Sequence, residues 1–245
     1  MKVTIVGRHS PFPARDGACS SYLVEHEGRR VLIDCGSGAL SKLQRFMQLT
    51  DVTDVVLSHL HGDHTSDLMV LRYAADKDLR HRLRVDAVRV YAPPEPAEEF
   101  ARLAYKDAII PVVVKDGDVV RFGGMEFAFR KVDHAFLCHA VTVTAGGRRF
   151  AYSGDSGPCD ALLEAAREAD LFLCEASISE SETGFPVAGH LTARQAGGVA
   201  RMAGAKRLVI THLWPHYDYG KLAREAEDGF GGPVEVAVEG ATYEV

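Results

Sequence analysis

Three histidines and one aspartate lie within six residues in the stretch Ser58-His59-Leu60-His61-Gly62-Asp63-His64. Buried imidazole and carboxylate groups are costly unless they have partners, so this density is not expected from core packing. A metal ion would partner all four side chains at once, and imidazole with carboxylate suits zinc and neighbouring divalent ions. The cluster therefore predicts metal binding by His59, His61, Asp63 and His64.

The spacing also suggests how these ligands divide. Residues two apart in an extended loop project to the same side. His59 and His61 can therefore share one metal ion, while Asp63 and His64 turn to a second. The five cysteines include no Cys-x-x-Cys pair, which argues against a thiolate zinc site and favours reduced thiols.

The elements that must position these ligands alternate between strand and helix patterns. Tight turns are expected at Glu27-Gly28, Gly123-Gly124 and Gly146-Gly147. Because hairpins and crossover helices are mixed, the pattern favours two sheets in one core with helices outside, as one domain over residues 1–245. Strands are predicted at 3–7, 21–25, 30–34, 53–57, 87–91, 119–122, 125–132, 141–144, 149–153, 171–175, 207–211 and 234–238, and helices at 38–47, 67–83, 95–105, 160–169, 192–203 and about 221–227.

The motif His-x-His-x-Asp-His after a strand resembles the hallmark of the metallo-β-lactamase superfamily. The resemblance implies an α/β fold, a four-layer αββα sandwich with the site at one edge of the two sheets. It implies three further ligands, of which Asp155 would bridge two ions: His134 in Val132-Asp133-His134, Asp155 in Tyr152-Ser153-Gly154-Asp155, and His212 in Val209-Ile210-Thr211-His212. Asp34, in Leu32-Ile33-Asp34-Cys35-Gly36, resembles the family's aspartate that supports the site from behind the ligands.

His139 is an alternative to His134 as the mid-chain ligand. In relatives of this family the ligand lies several residues before the next strand begins. That position favours His134 and leaves His139 as a packing or pocket residue.

Two further elements resemble ribonuclease Z and related phosphodiesterases: Gly189-His190-Leu191-Thr192-Ala193 and Cys174-Glu175-Ala176. In that group the histidine and glutamate cooperate to protonate the leaving oxygen, and the motif aspartate is the general base. The resemblance thus implies catalytic roles for Asp63, His190 and Glu175. Alternatively, His190 is a loop residue before a helix capped by Thr192, and Glu175 is a solvated strand end.

The implied activity is hydrolysis by a hydroxide that bridges two divalent ions, zinc in the first place, with manganese or iron also accepted by such ligands. Full-length ribonuclease Z inserts a tRNA-gripping arm where only a short interval separates His134 from Asp155 here. The expected substrate is therefore a small or cyclic phosphodiester, such as a cyclic nucleotide. Open alternatives are a lactonase or thioesterase on the same metals, a ribonuclease Z-like nuclease, and a non-catalytic metal or nucleotide sensor.

The composition of the chain limits the kinds of partner that we expect it to bind. The formal charge of −6 argues against an extended nucleic-acid surface. No apolar run approaches the roughly 20 residues of a membrane span, and the first residues resemble a strand rather than a signal peptide, so a cytoplasmic protein is expected. A homodimer is possible, since dimers are common among relatives. Trp214 and Tyr217 are candidates to stack on a base, although aromatic residues in loops usually only pack.

Overall fold

The computed structural model describes residues 1–182 and 188–245. The strands are β1 Lys2–Gly7, β2 Ser21–His26, β3 Arg29–Ile33, β4 Asp54–Val56, β5 Val88–Ala92, β6 Ile109–Val113, β7 Val119–Phe122, β8 Met125–Val132, β9 Cys138–Ala145, β10 Arg148–Tyr152, β11 Leu171–Glu175, β12 Leu208–Thr211, β13 Val234–Val236 and β14 Thr242–Glu244. The helices are α1 Ala39–Leu43, α2 Gly62–Thr65, α3 Leu68–Arg80, α4 Ala97–Leu103, α5 Asp160–Ala166, α6 Ala193–Ala203 and α7 Tyr219–Phe230. Short 3₁₀ turns lie at Leu49–Asp51 and Glu180–Glu182.

The described strands form two seven-stranded sheets that share one design. The first sheet has the order β14-β1-β2-β3-β4-β5-β6, and the second has the order β13-β12-β11-β10-β9-β8-β7. In each sheet a meander of antiparallel strands continues into parallel strands, which run from β3 to β6 in the first and from β10 to β13 in the second. The hairpins and crossovers expected from the sequence are therefore both present.

Apolar side chains fill three layers, which define a four-layer sandwich. One cluster, including Phe127, Phe129 and Phe150, lies between the two sheets. A second packs α5, α6 and α7 on the outer face of the second sheet, and a third packs α1, α3 and α4 on the outer face of the first sheet. Each fully buried Phe contributes about 1.5–3 kcal/mol relative to an exposed one. The predicted α/β fold with αββα layers is confirmed.

The turn at Glu27-Gly28 has the backbone that its sequence predicts. Both residues have positive φ angles, 47° and 78°, as the central residues of a type I′ hairpin turn require. The turns at Gly123-Gly124 and Gly146-Gly147 also join antiparallel strands, as expected.

Several element predictions need correction. Strands β6 and β14 were not predicted: both are edge strands, and β6 contains Pro111, which weakens a strand signal in sequence but is tolerated at a sheet edge. The helix expected over 38–47 ends at Leu43. The predicted metal-binding motif is extended only as far as His61, because α2 begins at Gly62. None of the helices in the described part of the chain has the length and apolar character needed to cross a membrane.

Candidate metal centre

The predicted ligands lie where strands end at one edge of the two sheets. His59 follows β4, His134 follows β8, Asp155 follows β10 and His212 follows β12. These strands run in the same direction within each sheet, so their carboxyl ends bring residues that are distant in sequence together. His212 is held at a φ of 60°, a backbone conformation uncommon for a residue with a side chain and worth about 1–3 kcal/mol of strain.

Asp34, at the end of β3, organises the site from behind. Its buried carboxylate accepts hydrogen bonds from the Ser58 backbone N–H (2.8 Å), the Tyr152 hydroxyl (2.9 Å) and His64 Nδ1 (2.8 Å). Because a carboxylate only accepts, His64 carries its proton on Nδ1 and turns Nε2 toward the site. Such a carboxylate behind a histidine fixes its orientation and raises its basicity as a ligand.

The first group of donors consists of His59, His61, His134 and Asp155. His61 Nδ1 lies 3.0 Å from His59 Nε2 and 3.1 Å from His134 Nε2. His134 Nδ1 donates to the Gly189 carbonyl oxygen at 2.9 Å, so the unprotonated Nε2 of His134 is available to bind a metal ion. A Cβ on Gly189 would lie 2.9 Å from this ring, so glycine is required there.

The second group consists of Asp63, His64 and His212. The Nε2 atoms of His64 and His212 are 3.1 Å apart, and His212 Nε2 is 3.4 Å from Asp63 Oδ2. Asp155 lies between the groups: Oδ1 is 3.3 Å from His64 Nε2, and Oδ2 is 3.2 Å from His212 Nε2 and 3.6 Å from His59 Nε2. The seven side chains proposed as ligands are thus brought together, with Asp155 facing both groups.

The donor set fits divalent metal ions. The edge of a zinc tetrahedron with Zn–N bonds of about 2.0–2.1 Å is roughly 3.3 Å, close to the separations of the facing imidazole nitrogens. Asp155 Oδ1 is buried and accepts no hydrogen bond, which is costly for a carboxylate oxygen unless a cation lies beside it. Imidazole with carboxylate, and no thiolate, is the chemistry of a catalytic rather than a structural zinc site.

Electrostatics differ between the two groups. Burial lowers the pKa of His59, His61 and His134, so these rings stay neutral, the form that binds metal. Burial acts in the same direction on His64 and His212, but the neighbouring carboxylates together outweigh it: Asp155, Asp34 and Asp63 raise the pKa of His64, and Asp155 with Asp63 brings the pKa of His212 to about 10. The second group therefore favours positive charge, which a metal cation would supply in place of protons.

His190 and Glu175 form a pair beside these donors. Glu175 is fully buried at the end of β11, which is contrary to the alternative of a solvated strand end. Its Oε1 accepts from His190 Nδ1 at 2.9 Å. Burial opposes the charged form of His190, but the Glu175 carboxylate raises the pKa of the imidazole above its ordinary value. Thr192 also caps α6, as expected for the alternative in which His190 merely precedes a helix, so both features coexist.

Two serines near the site were not predicted. Ser10 donates to Asp63 Oδ2 at 2.9 Å. Ser177 donates to Glu175 Oε2 at 2.7 Å and lies 2.7 Å from His212 Nδ1, which must then donate to the serine oxygen. Ser177 follows Glu175 by two residues, a weak signal of a shared side, whereas no sequence signal links Ser10 to Asp63.

His139 occupies a different place from His134. It lies within β9, which begins earlier than expected, and it is fully buried. Its ring packs 6.0 Å from Phe129. Among the described residues, the candidate metal groups include His134 and leave out His139.

A cavity of about 630 Å³ opens onto the donors, and its lining includes His61, Asp63, Asp155, His190 and His212. This volume lies within the range of small-molecule sites, about 300–1,000 Å³. Among the described residues that line it there is no Lys or Arg. An anionic substrate group would therefore depend on metal ions and imidazoles for compensating charge.

Comparison with known proteins finds a matching family model and several similar proteins. The family model described as "Beta-lactamase superfamily domain" matches residues 29–213. The Bacillus subtilis protein named "Probable metallo-hydrolase YhfI" is 32% identical over 245 residues, which is 100% of both chains. The crystal structure of YhfI covers 99% of this chain and 98% of its own with a TM-score of 0.94 and 30% identity.

Proteins named for RNA processing are also similar. The ribonuclease Z of Myxococcus xanthus is 30% identical over 304 residues, covering 100% of this chain and 98% of its own. The short form of human tRNase Z covers 100% of this chain and 99% of its own with a TM-score of 0.76 at 21% identity. At that identity the structural likeness shows the fold.

Proposed function

The chain belongs to the beta-lactamase superfamily and is a metal-dependent hydrolase, and we propose that it hydrolyses small or cyclic phosphodiesters, such as cyclic nucleotides, at a site of two zinc ions. His59, His61 and His134 would hold one ion and Asp63, His64 and His212 the other, with Asp155 shared. Two such ions would supply an activated water and positive charge for the developing oxyanion. The proton-transfer steps would be carried out by side chains of the protein.

The observation that carries this proposal is the pair formed by His190 and Glu175. The carboxylate fixes the proton on His190 Nδ1 and favours the imidazolium form. The ring stacks on His212 with centroids 5.6 Å apart and lines the same cavity as Asp63. His190 is thus placed to donate a proton to a departing alkoxide, the poor leaving group of a cyclic phosphodiester.

Asp63 is the proposed general base. Burial opposes its charged form, but His64 and His212 outweigh it and hold the pKa of this carboxyl well below its usual range. The hydrogen bond from Ser10 fixes the orientation of the carboxylate. Asp63 is therefore an ionised group that lines the cavity, where its carboxylate can accept a hydrogen bond from the attacking water and orient it.

The stretch between His134 and Asp155 supports a small substrate. It consists mainly of β9 and β10, joined by the two-residue turn Gly146-Gly147. A hairpin this tight leaves no room in that interval for an arm that grips tRNA.

The test compares leaving groups. Metal-loaded protein is incubated with 3′,5′-cyclic AMP and with bis(4-nitrophenyl) phosphate, alongside 4-nitrophenyl acetate and a lactone. We expect turnover of the phosphodiesters, and we expect His190→Ala to lose about 10²–10⁴-fold on cyclic AMP. The loss on the nitrophenyl diester should be much smaller, because nitrophenolate leaves without a proton.

The control is His81→Ala, which removes an exposed histidine after α3. It should leave both activities and the metal content unchanged. Turnover of the ester or lactone alone, with no effect of His190→Ala, would indicate a carbon-centred hydrolase. Cleavage of a tRNA precursor without turnover of small diesters would indicate a nuclease.

A further inference from the structure

A second cavity of about 370 Å³ adjoins the metal centre. It shares Ser10, Pro11, His190 and His212 with the larger cavity. The two spaces therefore meet on the side where His190 would face the leaving group. A substrate whose phosphoryl group lies at the metal donors would extend its remaining part into this second space.

Aromatic rings form the outer wall of this cavity. The rings of Trp214 and Tyr217 have centroids 5.1 Å apart and are nearly perpendicular, at 84°. The Tyr217 hydroxyl donates to Glu182, and the Tyr217 backbone N–H donates to the Trp214 carbonyl oxygen at 3.1 Å. Burial together with Glu182 raises the pKa of Tyr217 to about 12, so the phenol stays neutral. The wall is thus fixed in place by its own contacts.

The chemistry of the lining restricts what it accepts. Ile178 and Pro11 add apolar surface, and Glu182 is a carboxylate. Among the described lining residues there is no Lys or Arg. A second phosphate would be repelled by Glu182, whereas a flat, neutral ring can stack on one aromatic side chain, meet the other edge-on and donate an N–H to the carboxylate.

We propose that this cavity is a nucleobase subsite, in which the base of a nucleotide substrate stacks on one of the two aromatic rings of Trp214 and Tyr217 and meets the other edge-on, since the rings are nearly perpendicular. The inference rests on the proposed function, because it takes the phosphoryl group of the nucleotide to lie at the metal donors. It adds that the substrate is a nucleotide and not merely a small phosphodiester. Aromatic stacking suits this role because every base presents a π face.

The experiment uses Trp214, the single tryptophan of the chain, as a reporter. Metal-loaded protein is titrated with AMP and with ribose 5-phosphate, which lacks the base. We expect AMP to quench the tryptophan fluorescence and, by calorimetry, to bind about ten-fold more tightly than ribose 5-phosphate. Tyr217→Leu should lower the AMP affinity about ten-fold and leave the ribose 5-phosphate affinity unchanged.

The matched control is Tyr73→Leu, which removes an exposed tyrosine on α3 that is not among the described residues lining the cavity. It should bind AMP like the unmodified protein. If Tyr217→Leu does not fold, as judged by circular dichroism, Trp214→Ala replaces it, with calorimetry as the readout. Equal affinities for AMP and ribose 5-phosphate in the unmodified protein would overturn the proposal.

The subsite and the activity can fail separately. Cyclic AMP is compared with the base-less methyl ribofuranoside 3′,5′-cyclic phosphate. Equal turnover of the two would leave the phosphodiesterase intact and overturn the subsite. Base-dependent binding of AMP without hydrolysis of any diester would support the subsite and contradict the proposed activity.

Discussion

Strand β4 is only three residues long, yet a buried acidic group is associated with each of its ends. At its first residue, the carboxylate of Asp54 accepts from Arg89 Nε at 3.1 Å, from Arg29, and from the Thr53 hydroxyl at 2.8 Å. All three charged groups of this contact, one carboxylate and two guanidinium groups, belong to the protein, and both arginine side chains are partly exposed to solvent. At this end of β4, the charge of the buried carboxylate is therefore compensated by arginines of the protein itself.

The other end of β4 leads to His59, whose Nε2 lies 3.6 Å from Oδ2 of Asp155, a residue that follows β10 in the second sheet. Here one carboxylate oxygen of Asp155 is buried without a hydrogen bond, and imidazole nitrogens face each other at 3.0–3.1 Å. Folding this arrangement is costly unless a cation is added from outside. The contrast teaches that a buried carboxylate with arginine partners, such as Asp54, stabilises the fold. A buried carboxylate oxygen without a hydrogen-bond partner, such as Asp155 Oδ1, instead indicates where a cation would bind.

The strongest way to break this comparison is to neutralise each carboxylate in turn. Asp155→Asn should abolish stoichiometric metal binding and lower turnover by roughly 10³-fold or more, because the shared ligand of both donor groups is lost. Asp54→Asn should keep metal and turnover but lower the free energy of unfolding by about 1–3 kcal/mol, because two arginines lose a charged partner. Elemental analysis, kinetics and denaturant unfolding measure the three quantities.

Retention of full metal content by Asp155→Asn would contradict the assignment of this residue as a shared ligand. Loss of metal in Asp54→Asn would show that the two ends of β4 are not independent. The substitutions remove the same charge from the same residue type, so a general effect of charge cannot explain a difference between them.

The sequence predicts the functional end of β4 better than the structural end. Four of the proposed ligands lie within six residues, so local spacing carries their signal, whereas Asp155 and His212 were implied by the resemblance of their strand-end motifs to the family. The charged partners of Asp54 come from β3 and β5, and nothing in the sequence pairs Arg29 or Arg89 with it. Such contacts depend on strand order, which a local pattern does not contain.

The same reason explains what sequence reasoning missed at the site itself. Ser10 reaches Asp63 across 53 residues, and His212 is oriented by Ser177 across 35 residues. A lone serine has no spacing rule, so only the fold reveals these contacts. The edge strands β6 and β14 were missed because each pairs along one side only and is short or contains proline.

Ser177 sharpens the comparison because it is a residue of the protein that orients His212, one of the proposed metal ligands. It links the Glu175 carboxylate to His212 Nδ1 and so directs His212 Nε2 toward Asp63 and Asp155. Ser177→Ala should weaken zinc affinity about 10–100-fold, as for other residues that orient a metal-binding histidine. Competition with a chromophoric chelator measures the affinity directly.

Ser177→Thr keeps the hydroxyl and should restore most of the affinity. The metal-free proteins should unfold at similar denaturant concentrations, since Ser177 acts through His212. An unchanged zinc affinity in Ser177→Ala would show that His212 is oriented by its backbone alone.

Glu239 provides the test with the smallest expected effect. Like Asp54, it is a carboxylate whose charge is compensated by side chains of the protein itself. It accepts from the Ala18 backbone N–H at 2.7 Å and lies 3.0 Å from Lys42 Nζ and 3.2 Å from His9 Nδ1. Burial opposes its charged form, but these partners outweigh it and lower the pKa of Glu239 below its ordinary value of 4.5. A lowered pKa in the folded state means that the stabilisation is fully present above about pH 4.5 and is lost as the pH falls through the folded-state value.

Glu239→Gln should therefore lower the free energy of unfolding by about 1 kcal/mol near pH 7, and the difference from the unmodified protein should shrink as the pH falls below about 4.5. Taking the difference between the two proteins cancels the titration of the metal site, which both share. Denaturant unfolding of the metal-free proteins at several pH values measures it. A difference that stays constant down to pH 3 would mean that Glu239 acts through its hydrogen bonds and not its charge. The contrast between carboxylates compensated by protein side chains and those left for a cation would then not extend beyond Asp54 and Asp155.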